Sequence, residues 1–135
     1  MKIALLIPVF NAEKYLRACL DSALAAGAEA ERSGHPLEIR CRDDGSKDAS
    51  AAILRDYADR HPNVTFSVQA NAGVSETRNR LIDELSDDVD AFAFLDSDDA
   101  VKPEMYAKLA EAMERTGADV AESEWEGDEC VVDDM

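Results

Sequence analysis

The sequence predicts a single α/β domain built on a mostly parallel β-sheet with helices on both faces. Three observations point there. Short apolar runs alternate along the chain with longer stretches of helical periodicity, which is the pattern of right-handed βαβ units. The first run, Ile3-Ala4-Leu5-Leu6-Ile7, is apolar at every position, so it reads as a strand buried on both faces. The 135 residues contain no internal repeat, low-complexity tract or linker, and one compact domain accounts for that length. A domain of this size buries about two-thirds of its unfolded surface and needs no staple.

Each element has its own signal. Pro8 closes the first strand, and from Glu13 the apolar positions Leu16, Cys19, Leu20, Ala23 and Leu24 fall on one helical face. Asn11 is the expected N-cap of that helix, and Gly27 its expected end. Residues 37–41 form a second strand, interrupted at Arg40 and followed by Arg42. Residues 49–60 read as a helix with Ile53, Leu54 and Tyr57 inward, stopped by His61-Pro62. Residues 64–68 alternate as a half-buried or edge strand. A third helix covers residues 73–85, with Val74, Leu81, Ile82 and Leu85 on its apolar side. Residues 90–95 make a fourth strand. Pro103 opens a last helix, striped by Met105, Leu109, Ala112 and Met113 and ended by Gly117. One more strand is expected from Val120 towards Trp125.

Charge narrows the functions. Fourteen basic and 30 acidic residues give a net charge of −16, which repels phosphate backbones and argues against nucleic-acid binding. Three well-separated cysteines, Cys19, Cys41 and Cys130, show no metal or disulfide spacing, as expected of reduced thiols in a cytoplasmic protein. The apolar start is too short for a membrane span and lacks a signal-peptide cleavage pattern. Eight carboxylates and no basic residue occupy residues 119–135, and residues 127–135 read as a solvated acidic tail after a domain spanning 1–126. Another eight lie between Asp83 and Asp99, and these sit at a more telling place.

In parallel sheets, ligands collect beyond the carboxyl ends of the strands. Pro8-Val9-Phe10-Asn11 follows the first strand, Asp43-Asp44-Gly45-Ser46-Lys47-Asp48 the second, and Asp96-Ser97-Asp98-Asp99 the fourth. Each acidic run alone reads equally as a turn with a helix cap. Two at one sheet edge are costly unless a cation or hydrogen-bond donors offset their repulsion. Asp96, Asp98 and Asp99 offer hard oxygen ligands suited to Mg²⁺ or Mn²⁺.

These segments, together with Tyr15-Leu16, Asn71-Ala72-Gly73-Val74-Ser75, Arg78-Asn79 and Phe94-Leu95, carry a family resemblance. In order and spacing they resemble the nucleotide-sugar-binding part of a family 2 glycosyltransferase, from Lys2 to about Trp125. The resemblance implies a Rossmann-like GT-A domain, truncated relative to the full GT-A fold. It implies that Pro8, Val9 and Phe10 line the nucleoside pocket with Glu13 nearby, and that Asp44 contacts the base with Asp43 beside it. The segment from Gly73 to Asn79 closes over the nucleotide, and Arg78 faces the diphosphate and the acidic motif. Asp96-Ser97-Asp98 matches the family's DXD motif, whose carboxylates hold the ribose and the divalent metal, with Asp96 and Ser97 counted among the nucleotide-binding residues. Asp98 is the favoured metal ligand, with Asp96 and Asp99 as the others. The donor it implies is a nucleoside-diphosphate sugar, with a UDP-sugar favoured, and the reaction is inverting transfer to the hydroxyl of a saccharide or lipid-linked acceptor. The family's acceptor half normally supplies the catalytic base, and no residue here is assigned that role. Glu122, Glu124, Asp128 and Glu129 are candidates by composition alone. The alternative is a non-catalytic nucleotide-sugar-binding or interaction module lacking the acceptor half; a homo-oligomer or a missing partner domain is a further expectation.

Overall fold

The computed structural model describes residues 1–123 and 130–133, with side chains described up to residue 119. Strands β1 (Ile3–Val9), β2 (Leu37–Asp43), β3 (Val64–Val68) and β4 (Ala91–Phe94) alternate with helices α1 (Leu16–Arg32), α2 (Ser50–Arg60) and α3 (Val74–Asp83). Helix α4 (Met105–Thr116) follows, and then β5 (Val120–Ser123) and β6 (Cys130–Asp133). The first four strands form one parallel sheet in the order β3-β2-β1-β4. The expected α/β fold is what forms.

Strand β1 is buried along its whole length, as its unbroken apolar run requires. Its odd-numbered side chains, Ile3, Leu5, Ile7 and Val9, join Leu16 and Leu20 of α1, Ile53 and Leu54 of α2 and Tyr106 of α4 in the main core. Ala4 and Leu6 face the other way and meet Leu81 of α3. Handedness explains this division. The steps β1 to β2 to β3 run one way across the sheet, so right-handed crossovers place α1 and α2 on one face. The connection from β3 to β4 returns past β1, which places α3 on the opposite face. β1 and β4 are therefore neighbours whose connections diverge, and a crevice opens beyond their carboxyl ends.

Pro8 fits in this central strand because of where β4 stops. Leu6 accepts from the Leu95 N–H and Val9 from the Asp44 N–H, so even positions face β4 and odd ones β2. The N–H that proline lacks would point past Phe94, where pairing with β4 has already ended.

Helix α3 ends at Asp83, two residues early, and α4 starts at Met105, two residues after Pro103, but both boundaries of α1 differ more. Helix α1 starts at Leu16 and not near Glu13, and Asn11 does not cap it, since its side chain is bonded to another loop. The helix also runs through Gly27 to Arg32. Gly27 is there for close approach: a Cβ at this position would lie 3.2 Å from Leu37 Cδ2 on β2. Gly117 ends α4 as expected, with the left-handed φ of 72° that suits glycine.

After α4, β5 pairs antiparallel with β6, a partner strand not expected from the sequence. The expected boundary at residue 126, Trp125, and Glu124, Asp128 and Glu129 lie outside the described residues. Cys19 and Cys41 are buried free thiols, and burial pushes Cys19 up to about 12, ahead of the nearby charges of Asp99, Asp98 and Asp96. Among the described residues, no helix is long and apolar enough to cross a membrane.

Candidate functional site

The crevice at the β1/β4 switch point has a volume of about 510 Å³, within the usual range for small-molecule sites. Pro8, Val9, Phe10, Asn11, Ala12 and Tyr15 form one wall, and Asp44 stands at the end of β2. Asn71, Gly73, Val74 and Thr77 form a second wall, and Asp96, Ser97 and Asp98 a third. Four segments widely separated in sequence thus meet at one sheet edge. Phe10 and Tyr15 are half-exposed at the mouth, 49% and 56%, and available for contact with a planar group.

The first two loops are tied together by reciprocal bonds. Asn11 takes a φ of 47°, and its N–H donates to Ser46 Oγ at 2.8 Å while its Oδ1 accepts from the Lys47 N–H at 2.9 Å. Glu13 donates its N–H to Asp48 and accepts from the Ala49 N–H at 3.1 Å, at the start of α2. Glu13 therefore holds the loop and does not line the crevice. Burial pushes the Asp48 carboxyl up, but hydrogen bonds from Ser50 and the Glu13 N–H outweigh this and hold it below its ordinary value.

The adjacent aspartates have separate places. Asp43 lies level with Val9 in the strand pairing, is 1% exposed and does not line the crevice. One of its oxygens accepts from the Ser46 N–H at 3.0 Å, and the other is buried without a partner. Asp44 lines the crevice and accepts from the Ala72 N–H at 2.7 Å, the Gly73 N–H at 3.1 Å and Gln69 Nε2 at 2.8 Å. Burial pushes its carboxyl up, but these bonds carry it below the ordinary value.

The fourth segment carries unbalanced charge. Asp96, Asp98 and Asp99 offer carboxylate oxygens that lie within 4.8 Å of one another. Burial and then the charges of Asp98 and Asp96 push the Asp99 carboxyl up. Arg78 pairs with Asp96 at 3.2 Å, and its guanidinium lies 5.6 Å from the centre of the Phe94 ring. One arginine beside three carboxylates leaves negative charge unmet. The donor set, three hard oxygens in reach of one point, fits a divalent cation.

Of the expected site residues, Pro8, Val9, Phe10, Asp44, Gly73, Asp96, Ser97 and Asp98 are brought together at the crevice. Arg78 and Asp99 join through their contacts with its acidic wall. Asn11 and Tyr15 line it without having been singled out for binding, Thr77 belongs to the segment expected to close over the nucleotide, and Gln69 lies behind Asp44. Gln69 is the residue after β3. The strand-end rule, extended to that strand, would have marked it.

A doubly wound parallel sheet with a switch-point crevice and an acidic wall defines a Rossmann-like α/β domain of the GT-A type. The chain belongs to glycosyl transferase family 2, whose model matches residues 4–132. It is 36% identical over 121 residues to YibD of Escherichia coli K12, an uncharacterized glycosyltransferase, covering 90% of this chain and 33% of that protein. It is 32% identical to the glycosyltransferase GlyA of Streptococcus pneumoniae, covering 89% of this chain and 16% of GlyA. Among solved structures, residues 1–349 of S. aureus TarS in complex with UDP-GlcNAc align with a TM-score of 0.74 at 27% identity. That alignment covers 88% of this chain and 33% of the TarS chain. The mannosyltransferase PcManGT of Pyrobaculum calidifontis, in complex with GDP-Man and Mn²⁺, shares the fold with a TM-score of 0.68 at 15% identity, over 86% of this chain and 33% of that one. The chain thus spans a third or less of the length of these proteins.

Proposed function

We propose that the crevice binds a nucleoside-diphosphate sugar, with a UDP-sugar favoured, and that the domain serves metal-dependent, inverting transfer of the sugar to an acceptor hydroxyl. The observation that carries this reading is the meeting of four separate segments around one crevice, with three carboxylates and Arg78 on a single wall. The bound UDP-GlcNAc of the TarS complex supports the choice of nucleotide.

Roles follow from position and chemistry. Pro8, Val9 and Phe10 give an apolar wall for the nucleoside, and Asp44 an acceptor edge for the base with Asp43 buried beneath. Gly73 brings backbone close to the ligand. Asp96 and Ser97 meet the ribose, and Arg78 adds a charge-assisted contact to the diphosphate. Glu13 acts on the same site by bracing the loop that carries Phe10. Asp98, with Asp96 and Asp99, would hold Mn²⁺ or Mg²⁺. A chain of charge −16 cannot attract an anionic donor by its net field. A cation held by these carboxylates would supply that attraction, together with Lewis-acid stabilisation of charge on a departing nucleoside diphosphate. The base that receives the acceptor proton has no assignment among the described residues.

Calorimetric titration with UDP, GDP and CMP, with and without Mn²⁺, tests the reading. Metal-dependent binding with UDP preferred is expected, weakened at least tenfold in Asp98→Asn, a loss of about 1.4 kcal/mol. No metal-dependent binding by the intact protein, or undiminished binding by Asp98→Asn, overturns it. Release of the nucleoside diphosphate from a sugar nucleotide then separates an active domain from one that only binds.

A further inference from the structure

Gln69 lies outside the crevice, yet its side chain meets four polar groups. It is 8% exposed and follows directly on β3, where its own N–H donates to the Asp43 carbonyl at 2.9 Å. Its Oε1 accepts from Arg42 Nε and from Arg80 Nη1, the latter at 3.2 Å. Its Nε2 donates to Asp44 Oδ1 at 2.8 Å and to Thr77 Oγ1 at 3.1 Å. We propose that Gln69 is a positioning residue, a relay through which Arg42 and Arg80 fix Asp44 and, through Asp44, the crevice wall at residues 71–73.

The direction of the relay follows from donor chemistry. A guanidinium only donates, so two of them on one side of the amide fix its oxygen there and turn its NH₂ towards Asp44. A carboxylate only accepts, so Asp44 requires that orientation. Once held, Asp44 accepts the Ala72 and Gly73 N–H groups, and Asn71 Nδ2 at 3.2 Å. Thr77 closes the other side by accepting from Gln69 and donating to the Gly73 carbonyl at 2.7 Å. Asn71, Gly73 and Thr77 are themselves crevice wall. The network also accounts for Arg42 within β2, at odds with that strand's apolar pattern. Arg42 bonds Ser67 Oγ at 2.9 Å and pairs with Glu84 just past α3, so it joins the outer face of the sheet to the same amide. Buried polar networks of this kind specify one arrangement when every member is satisfied and lose it when one is removed.

Neither side chain of similar size and shape meets both requirements. Glutamate would satisfy the arginines but present a carboxylate to Asp44. Methionine would match the volume and satisfy neither side. The consequence for ligand binding rests on the crevice being a nucleotide site, whereas the effect on Asp44 and the wall does not.

Gln69→Met and Gln69→Glu are therefore read in three ways. Carboxylate ¹³C NMR follows the titration of Asp44, amide hydrogen exchange follows Ala72 and Gly73 against Leu6 of β1, and calorimetry with UDP and Mn²⁺ gives affinity. Expected in both variants is a titration of Asp44 at higher pH. Exchange at Ala72 and Gly73 should be faster by roughly tenfold with Leu6 unchanged, as for loss of one charge-assisted hydrogen bond. UDP affinity should fall by a similar factor. Arg80→Met should move all three the same way by less. Unchanged Asp44 titration and unchanged exchange at residues 72 and 73 in folded Gln69→Met would overturn the relay. If circular dichroism shows Gln69→Met unfolded, Arg80→Met decides by the same two readouts, and no change there overturns it. Wild-type protein that fails to bind UDP defeats the nucleotide reading alone, because titration and exchange are read without ligand.

Discussion

Asp43 and Asp44 are neighbours with unlike fates, and strand geometry is the cause. Asp43 is the last residue of β2 and is buried level with Val9, whereas Asp44 lies just past the strand end and reaches the crevice. Residue patterning alone shows two adjacent carboxylates at a strand end, and the family resemblance singles out Asp44 of the two. The folded Asp44 carboxyl lies below its ordinary value of 3.8, because hydrogen bonds outweigh burial. Its stabilising contribution is thus complete above 3.8 and is lost as the pH falls through the lower folded value. In urea unfolding followed across the acid range, Asp44→Asn should flatten this part of the pH dependence. At pH 7 it should be less stable by about 1–3 kcal/mol, since its amide would face donors with a donor. Arg78 offers the reverse contrast. Its pair with Asp96 is largely exposed, so Arg78→Met should change stability by less than about 1 kcal/mol. UDP affinity should nevertheless drop by about tenfold, which thermal melts and calorimetry on the same variant would check. Charged residues at strand ends made Asp44, Asp96 and Asp98 legible in the sequence, whereas Arg78, inside α3, was marked only by the family resemblance. Gln69, neutral and isolated, has meaning only through partners up to 27 residues away.

Elements were legible where one period held throughout and less so where packing extended or shortened them. The apolar face of α1 predicts a helix, but Gly27 lies inside it and not at its end, and a Cβ on this residue would crowd the Leu37 side chain on β2 at 3.2 Å. Its start depends on the β1–α1 loop being bonded to the β2–α2 loop, which takes Asn11 away from capping. Gly45 marks the same coupling between loops. It has a φ of 74°, and a Cβ there would stand 2.9 Å from the Asn71 backbone nitrogen. Gly45→Ala should therefore cost about 1–3 kcal/mol through left-handed strain and displacement of the crevice wall. UDP binding should weaken in parallel, because Asn71 is part of that wall. A Gly34→Ala control shares a positive φ of 88° but meets nothing within 4 Å, so it should lose stability without losing affinity.

Across the whole molecule, net charge and the acidic wall make separable contributions to stability. Self-repulsion at −16 is relieved by any salt, whereas the triad at residues 96–99 asks for a cation at one point. Mn²⁺ at about 100 times its Kd should add about 2.7 kcal/mol and raise Tm by roughly 5–10 °C. NaCl of matched ionic strength should give a smaller rise, and Asp98→Asn should lose the difference. Differential scanning calorimetry distinguishes the two.

Sequence alone determined the alternation of strands and helices, the burial of β1, and the family, because these rest on local periodicity and on ordered motifs. It also placed carboxylates at the strand ends. Tertiary structure decided which of them face the crevice, that Glu13 braces a loop, and that Gln69 links two arginines to Asp44. The physical reason is that side-chain direction and hydrogen-bond partnership depend on strand register and crossover handedness, which bring together residues far apart in the chain.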